Sequence, residues 1–211
     1  MIPSKEAFRR ALAAKHGEAL QAKFAAARVA VCGLGGLGSN VATALARAGV
    51  GRLHLIDFDR VEITNLNRQQ YTVAQLGMRK AEALRENLAS VNPYCDVLAE
   101  TLRVTPENVP SLFTEDDVVC EAFDSAEAKA MLVEGVLTAY PGKPLVAASG
   151  MAGLGSPNAI RTRKAGNCFF LCGDGVSDAE RDVPLLPARV LACAAHEAMT
   201  ILRLIAGETE A

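Results

Sequence analysis

Between Ile56 and Tyr71 the chain reads DFDRVEITNLNRQQ, a run with few residues that a core would need. Asp57 and Asp59 close an apolar stretch, and Asn65, Arg68 and Gln69 follow shortly after. Lys80 lies on the helix expected next, and Asp124 ends a later strand-like run. Fixed donors together with two cations suit a polyphosphate and the charge that develops on departing pyrophosphate. A carboxylate meeting a polyphosphate is most simply a magnesium ligand, because bare carboxylate beside phosphate is repulsive.

Upstream stands Gly33-Leu34-Gly35-Gly36-Leu37-Gly38, between a buried strand and a helix. Glycines here let the backbone turn and approach a phosphate, and the helix N-terminus offers unpaired N–H groups. Asp57, at the end of the following strand, is placed to accept hydrogen bonds from ribose hydroxyls. NAD, FAD, S-adenosylmethionine and ATP all fit this half of the pattern, and alone it would favour an NAD-dependent oxidoreductase. Such an enzyme does not call for Asn65, Arg68, Gln69 and Lys80. Their presence moves the balance toward ATP.

These residues must be positioned by regular elements. Helical spacing predicts one or two helices over 5–26, and an apolar run predicts a strand over 28–32. A helix over 39–48 ends at Gly49, a second strand covers 53–56, and a helix over 77–90 stops at Asn92-Pro93. Strands are expected at 96–102, 117–122 and 144–148, with a helix over 125–140 between the last two. Residues 158–173 read as two strands joined at 165–167 in a hairpin. The segment 174–187 reads as an exposed connection and 188–206 as the closing helix. Strands alternating with helices over 28–148 predict a Rossmann-like α/β fold, its mostly parallel sheet covered on both faces, followed by an antiparallel hairpin and helix. One domain over 1–211 is expected, with a helical arm at 1–27, a nucleotide-binding core at 28–150 and the hairpin, connecting loop and helix at 151–211.

The 211 residues are half apolar and 22% charged, with a formal net charge of −2. That balance is globular and gives no electrostatic reason to expect nucleic-acid or acidic-membrane binding. No stretch reads as a signal peptide, and charges interrupt the apolar segment from Val183 to Ala206, so a cytoplasmic protein is expected. The six cysteines are scattered, and no second Cys or His pair follows Cys168 and Cys172 to complete a zinc site.

The sequence resembles the ThiF/MoeB/HesA group, the bacterial relatives of ubiquitin-activating enzymes. The resemblance rests on GLGGLGSN (33–40), AGVGRLHLIDFDRVEITNLNRQQ (48–70), the GMRKA helix start (77–81), Val91-Asn92-Pro93 and the strand end at Asp124. Within the group the chain is most similar to the short form of the sulfur-carrier adenylyltransferases of thiamine biosynthesis. The resemblance implies adenylylation, by ATP, of the C-terminal glycine of a ubiquitin-like sulfur carrier protein ending in Gly-Gly. It further implies that Gly33, Gly35, Gly36 and Gly38 hold phosphates, that Asp57 and Asp59 lie in the nucleotide site, and that Asn65, Arg68 and Lys80 neutralise the polyphosphate. Asp124 is implied as a Mg²⁺ ligand. Molybdopterin-type carriers and tRNA or peptide substrates use the same chemistry and remain alternatives.

The chain departs from the family in two places. It lacks the two CxxC pairs that hold zinc in other members. Of the late cysteines, Cys172 is nearest a loop, yet Cys168 and Cys172 also read as core strand residues. The family uses an N-terminal arginine that reaches the partner subunit's ATP, which implies a homodimer. Arg9 and Arg10 stand at about the right distance, and solvated helix positions account for them equally well. His16, His54 and His196 have no ligand spacing and are assigned no role. Arg161, Arg163 and Lys164 read as the solvated edge of a hairpin.

Overall fold

The computed structural model describes residues 2–177 and 184–210. Seven strands form one sheet: β1 (Arg28–Cys32), β2 (Arg52–Ile56), β3 (Asp96–Glu100), β4 (Val118–Glu121), β5 (Leu145–Ala148), β6 (Arg161–Lys164) and β7 (Phe169–Gly173). Their order is β3-β2-β1-β4-β5-β7-β6, parallel throughout except for the antiparallel β6–β7 pair. The Rossmann-like reading and the closing hairpin therefore hold. β1, β4 and β5 are buried along almost their whole length, because both faces of a central parallel strand are covered.

The helices are α1 (Lys5–His16), α2 (Glu18–Ala26), α3 (Gly36–Ala48), α4 (Lys80–Val91), α5 (Val109–Leu112), α6 (Ala126–Ala139) and α7 (Pro187–Ala206). One face of the sheet packs on α3, α4 and α7 through residues such as Val41, Leu45, Leu84 and Ile201. The other packs on α5 and α6 through Val109, Phe113, Leu132 and Val136. Ser125 caps α6 by accepting the Ala128 N–H, and Gly49 closes α3 in the left-handed conformation that favours glycine. Among the described residues, no helix is long and apolar enough to cross a membrane.

Several boundaries differ from the sequence reading. The helix expected from residue 77 starts at Lys80, because Gly77 has φ 84° and Arg79 bridges to Arg60 in extended backbone. α3 begins at Gly36, inside the glycine loop rather than after it. The short α5 was not anticipated; with Pro110 in its first turn it carries too few residues to show a period. Asp174, expected on an exposed connection, has a side chain only 1% exposed. Residues 178–183 of that connection lie outside the described residues.

Candidate active site

The sheet order reverses between β1 and β4, and open α/β folds place ligands at such a switch point. A cleft of about 520 Å³ opens there, at the C-terminal ends of the parallel strands. Its floor is the glycine loop after β1. No side chain caps the N-terminus of α3, which leaves the first-turn N–H groups and the positive end of the helix dipole facing the cleft. Gly33 has φ 86°, and a Cβ there would lie 2.7 Å from the Ala122 carbonyl oxygen. Only glycine lets the loop after β1 pack this tightly against the segment after β4.

Asp57 ties that loop to β2. Its Oδ2 accepts the Leu34 N–H at 2.7 Å, and its Oδ1 accepts the Asp59 N–H at 2.7 Å. Burial pushes the carboxyl pKa up, opposed by the charge of Lys80 and by the two amides. Each oxygen keeps acceptor capacity for a further donor, such as a ribose hydroxyl. The Asp57 expected as a ribose acceptor is thus also the brace of the glycine loop. Tyr71 adds a second brace, its buried hydroxyl donating to the Leu34 carbonyl at 2.8 Å.

The polar stretch after β2 folds over the start of α3. Asn40 donates to the carbonyls of Gly36 and Arg68, at 2.6 and 3.0 Å, and accepts from Gln70 Nε2 at 2.6 Å. The Arg68 side chain consequently lies beside Gly36, and its Nη1 donates to the Thr64 carbonyl at 3.1 Å and to Asn67 Oδ1 at 2.9 Å. Asn65 accepts the Glu62 N–H at 2.9 Å and so shapes the turn that carries Arg68. Lys80 opens α4 with its Nζ 3.1 Å from Asp59 Oδ2. At the rim, the Arg103 guanidinium stacks 3.8 Å over the Phe58 ring.

Gly33, Gly35, Gly36, Asp57, Asp59, Asn65, Arg68, Lys80 and Asp124 all line this one cleft. Gly38 does not; it sits behind the loop, where a Cβ would overlap the Gly33 carbonyl. Asp124 is exposed, and among the described residues no donor is bonded to its carboxylate. An acid without a bonded donor, in a cleft that also holds Arg68, Lys80 and the open amides of α3, fits a divalent cation brought in by a polyphosphate. Arg9 lies exposed on α1 and does not line the cleft of its own chain, while Arg10 pairs with Glu6 at 3.0 Å. Cys172 is fully buried in β7, and burial together with nearby Glu197 pushes its thiol up to about 11. A protonated, enclosed thiol matches the core reading rather than a nucleophile.

Sequence reasoning missed Glu121 and Lys129. Glu121 ends β4 with its side chain fully buried, and Lys129, from α6, lines the cleft with its Nζ 3.1–3.2 Å from both Glu121 oxygens. A charged residue inside the run VVCEAF was the available signal.

A doubly wound sheet gathers an uncapped helix end, two cations and a free carboxylate at its switch point. This defines a Rossmann-like α/β protein with an amide-lined, charged cleft at the C-terminal edge of its sheet. Residues 8–210 match the ThiF family, and the chain belongs to it.

The tRNA threonylcarbamoyladenosine dehydratase of Escherichia coli (strain K12) is 38% identical over 151 residues, covering 69% of this chain and 54% of that protein. The probable adenylyltransferase/sulfurtransferase MoeZ of Mycobacterium tuberculosis is 37% identical over 121 residues, or 57% of this chain and 30% of MoeZ. The chain therefore spans about half the length of the first of these relatives and less of the second. Among solved structures, the E. coli dehydratase TcdA in complex with ATP superposes with a TM-score of 0.86 at 25% identity, over 98% of each chain.

Proposed function

We propose that this protein uses ATP to adenylylate a substrate carboxylate, and that the substrate is the C-terminal glycine of a ubiquitin-like sulfur carrier, in thiamine biosynthesis. One observation carries the ATP part of the reading: Arg68, Lys80, the uncapped start of α3 and the Asp124 carboxylate line a single cleft, while the carrier and the pathway rest on the resemblance of the sequence. In this reading Asp57 takes the ribose, and the glycine loop with Asn65, Arg68 and Lys80 takes the phosphates. A substrate carboxylate oxygen bonds to the α-phosphorus, the α–β bridging P–O bond breaks, and pyrophosphate leaves with the electron pair. No general base is required, because the attacking carboxylate is ionised at neutral pH. Asp124 would hold Mg²⁺, which when bound offsets phosphate charge. The protein's part is to position the reactants and to stabilise charge on the leaving group.

A second reading differs in the substrate alone. The likeness to an E. coli enzyme named for tRNA threonylcarbamoyladenosine favours a carboxylate carried on tRNA. Against it stands the net charge of −2, which gives no general attraction to RNA. Arg9 acting across a homodimer belongs to the same proposal. Its position outside the cleft of its own chain is consistent with action in trans, and a fully active, monomeric Arg9→Ala/Arg10→Ala variant would remove that element.

The test is ATP–pyrophosphate exchange with carrier proteins ending in Gly-Gly, with bulk tRNA, and with neither. Exchange that depends on a carrier supports the first reading, and exchange that depends on tRNA replaces it with the second. Stabilisation by NAD with no exchange under any condition overturns both.

A further inference from the structure

We propose that Glu121, neutralised by Lys129, is a positioning residue that sets the turn presenting Asp124 to the metal on the nucleotide. The inference rests on the reading of Asp124 given above.

Glu121 is fully buried, and a buried carboxylate is strongly disfavoured unless it is paired and hydrogen-bonded. Here it has both. Lys129 Nζ lies 3.1 and 3.2 Å from its two oxygens, and Oε1 also accepts the Phe123 N–H at 2.6 Å. That last bond fixes the backbone one residue before Asp124. The next amide back, Ala122, donates to the Cys32 carbonyl at 2.8 Å, so the turn is held from both sides.

The same turn packs against the glycine loop. A Cβ on Gly33 would lie 2.7 Å from the Ala122 oxygen and 2.9 Å from Phe123 Cδ1. Glu121 therefore holds Asp124 and the wall of the phosphate loop in one fixed relation.

Local energetics alone do not account for this pair. Lys129 stands near the N-terminus of α6, where the helix dipole disfavours a cation. β4 otherwise needs apolar residues at its end, as Ala148 supplies on β5. Two residues that each break a local rule and pair with one another at a cleft mark a site where position outweighs stability. Lys129 also occupies both Glu121 oxygens, which leaves Asp124 as the open carboxylate of the turn.

The experiment measures ATP binding to the full chain by calorimetry, across a magnesium titration and in EDTA, with Asp124→Asn as reference. Glu121→Gln keeps the shape of the side chain but weakens both the ion pair and the Phe123 bond. We expect the variant to bind metal-free ATP as the wild type does and to need about 10–100-fold more Mg²⁺ for half-maximal enhancement, the usual penalty for loosening a metal ligand's support. Lys129→Met should shift the titration the same way, and Lys129→Arg should restore it. A purely structural role would instead weaken metal-free and magnesium-bound ATP alike.

If Glu121→Gln fails to fold, the Lys129 pair decides by itself. Wild-type magnesium dependence in Glu121→Gln or Lys129→Met, with Asp124→Asn impaired, overturns the positioning role and leaves the function standing. No magnesium dependence in the wild type, or wild-type magnesium dependence in Asp124→Asn, overturns the assignment of Asp124, and the positioning role with it.

Discussion

Lys80 is nine-tenths buried at the first turn of α4, and its ammonium is held 3.1 Å from the half-exposed carboxylate of Asp59. The Lys80 N–H donates to the Asp59 carbonyl at 3.0 Å, and the Asp59 N–H donates in turn to Asp57. A cation is thus pinned at the cleft by the strand end that also pins the glycine loop. The ammonium is pre-placed for an anion, and little reorganisation is needed when one arrives.

Replacing that ammonium should be costly to chemistry and cheap to the fold. Lys80→Met leaves Asp59 able to find water, so Tm should change by no more than a few degrees. Loss of one preorganised charge-stabilising donor typically costs about 10²–10³ in rate. Arg68→Ala should match it in pyrophosphate exchange. Near-normal exchange in both variants would remove the polyphosphate reading of the cleft.

Asp57 should behave differently, because the glycine loop itself hangs on its carboxylate. Asp57→Ala leaves the buried Leu34 amide without its acceptor, at about 1–3 kcal/mol, and leaves the amide of exposed Asp59 to find water. For a chain of this size, each kcal/mol lowers Tm by about 2–4 °C. Thermal denaturation should therefore show a clear loss together with weakened nucleotide binding. Loss of binding with unchanged Tm would mean that the loop does not depend on this carboxylate.

His54 predicts a pH dependence. Its Nε2 lies 3.0 Å from Glu100 and its Nδ1 3.0 Å from Asp116. Burial pulls its pKa down, but the hydrogen bonds and charges of the two acids more than reverse this, and the net shift is upward. A histidine pKa raised in the fold adds stability that is complete below the unfolded value near 6.5 and is lost as pH rises through the folded value. The stability advantage of wild type over His54→Gln should therefore be greatest near pH 6 and shrink on going alkaline. An advantage that grows with pH would contradict the doubly paired imidazolium.

Glu197 predicts the opposite kind of variant, one that stabilises. It is fully buried on α7, its Oε2 has no partner among the described residues, and burial drives its pKa well up against the opposing field of Lys129. Between the unfolded and folded pKa values the native state keeps a proton that the unfolded chain has lost, so stability falls as pH rises above about 4. Glu197→Gln cannot ionise. It should raise Tm by a few degrees at pH 8 and by less at pH 5. A destabilised variant at pH 8 would show that the carboxylate has an ionised role in the core.

The alternation of strands and helices, the glycine loop and the acid at the end of β2 were legible from sequence, because each depends on residues a few positions apart. Apolar period, turn chemistry and helix caps act locally, and they set β1, α3 and β2 to within a few residues. The motif carrying Asn65, Arg68 and Lys80 was legible for the same reason, since its members lie within one connection. The contacts that organise those residues were not. Leu34 meets Asp57 only after the register of β1 against β2 is fixed, and Lys129 meets Glu121 only after α6 packs back on β4.

Asp174 shows how far the two levels can part. In sequence it belongs to an acidic, proline-bearing stretch that reads as solvent-exposed. In the fold it pairs with Arg189 beneath the surface, and hydrogen bonds from Ser177, Val176 and Arg189 outweigh burial and hold its pKa at about 2. The sequence by itself determined the seven strands, the longer helices and which residues face the end of the sheet, because backbone preference and apolar period are local. Tertiary structure decided which charges are buried and what each one holds, because pairing between distant segments depends on where the whole sheet places them.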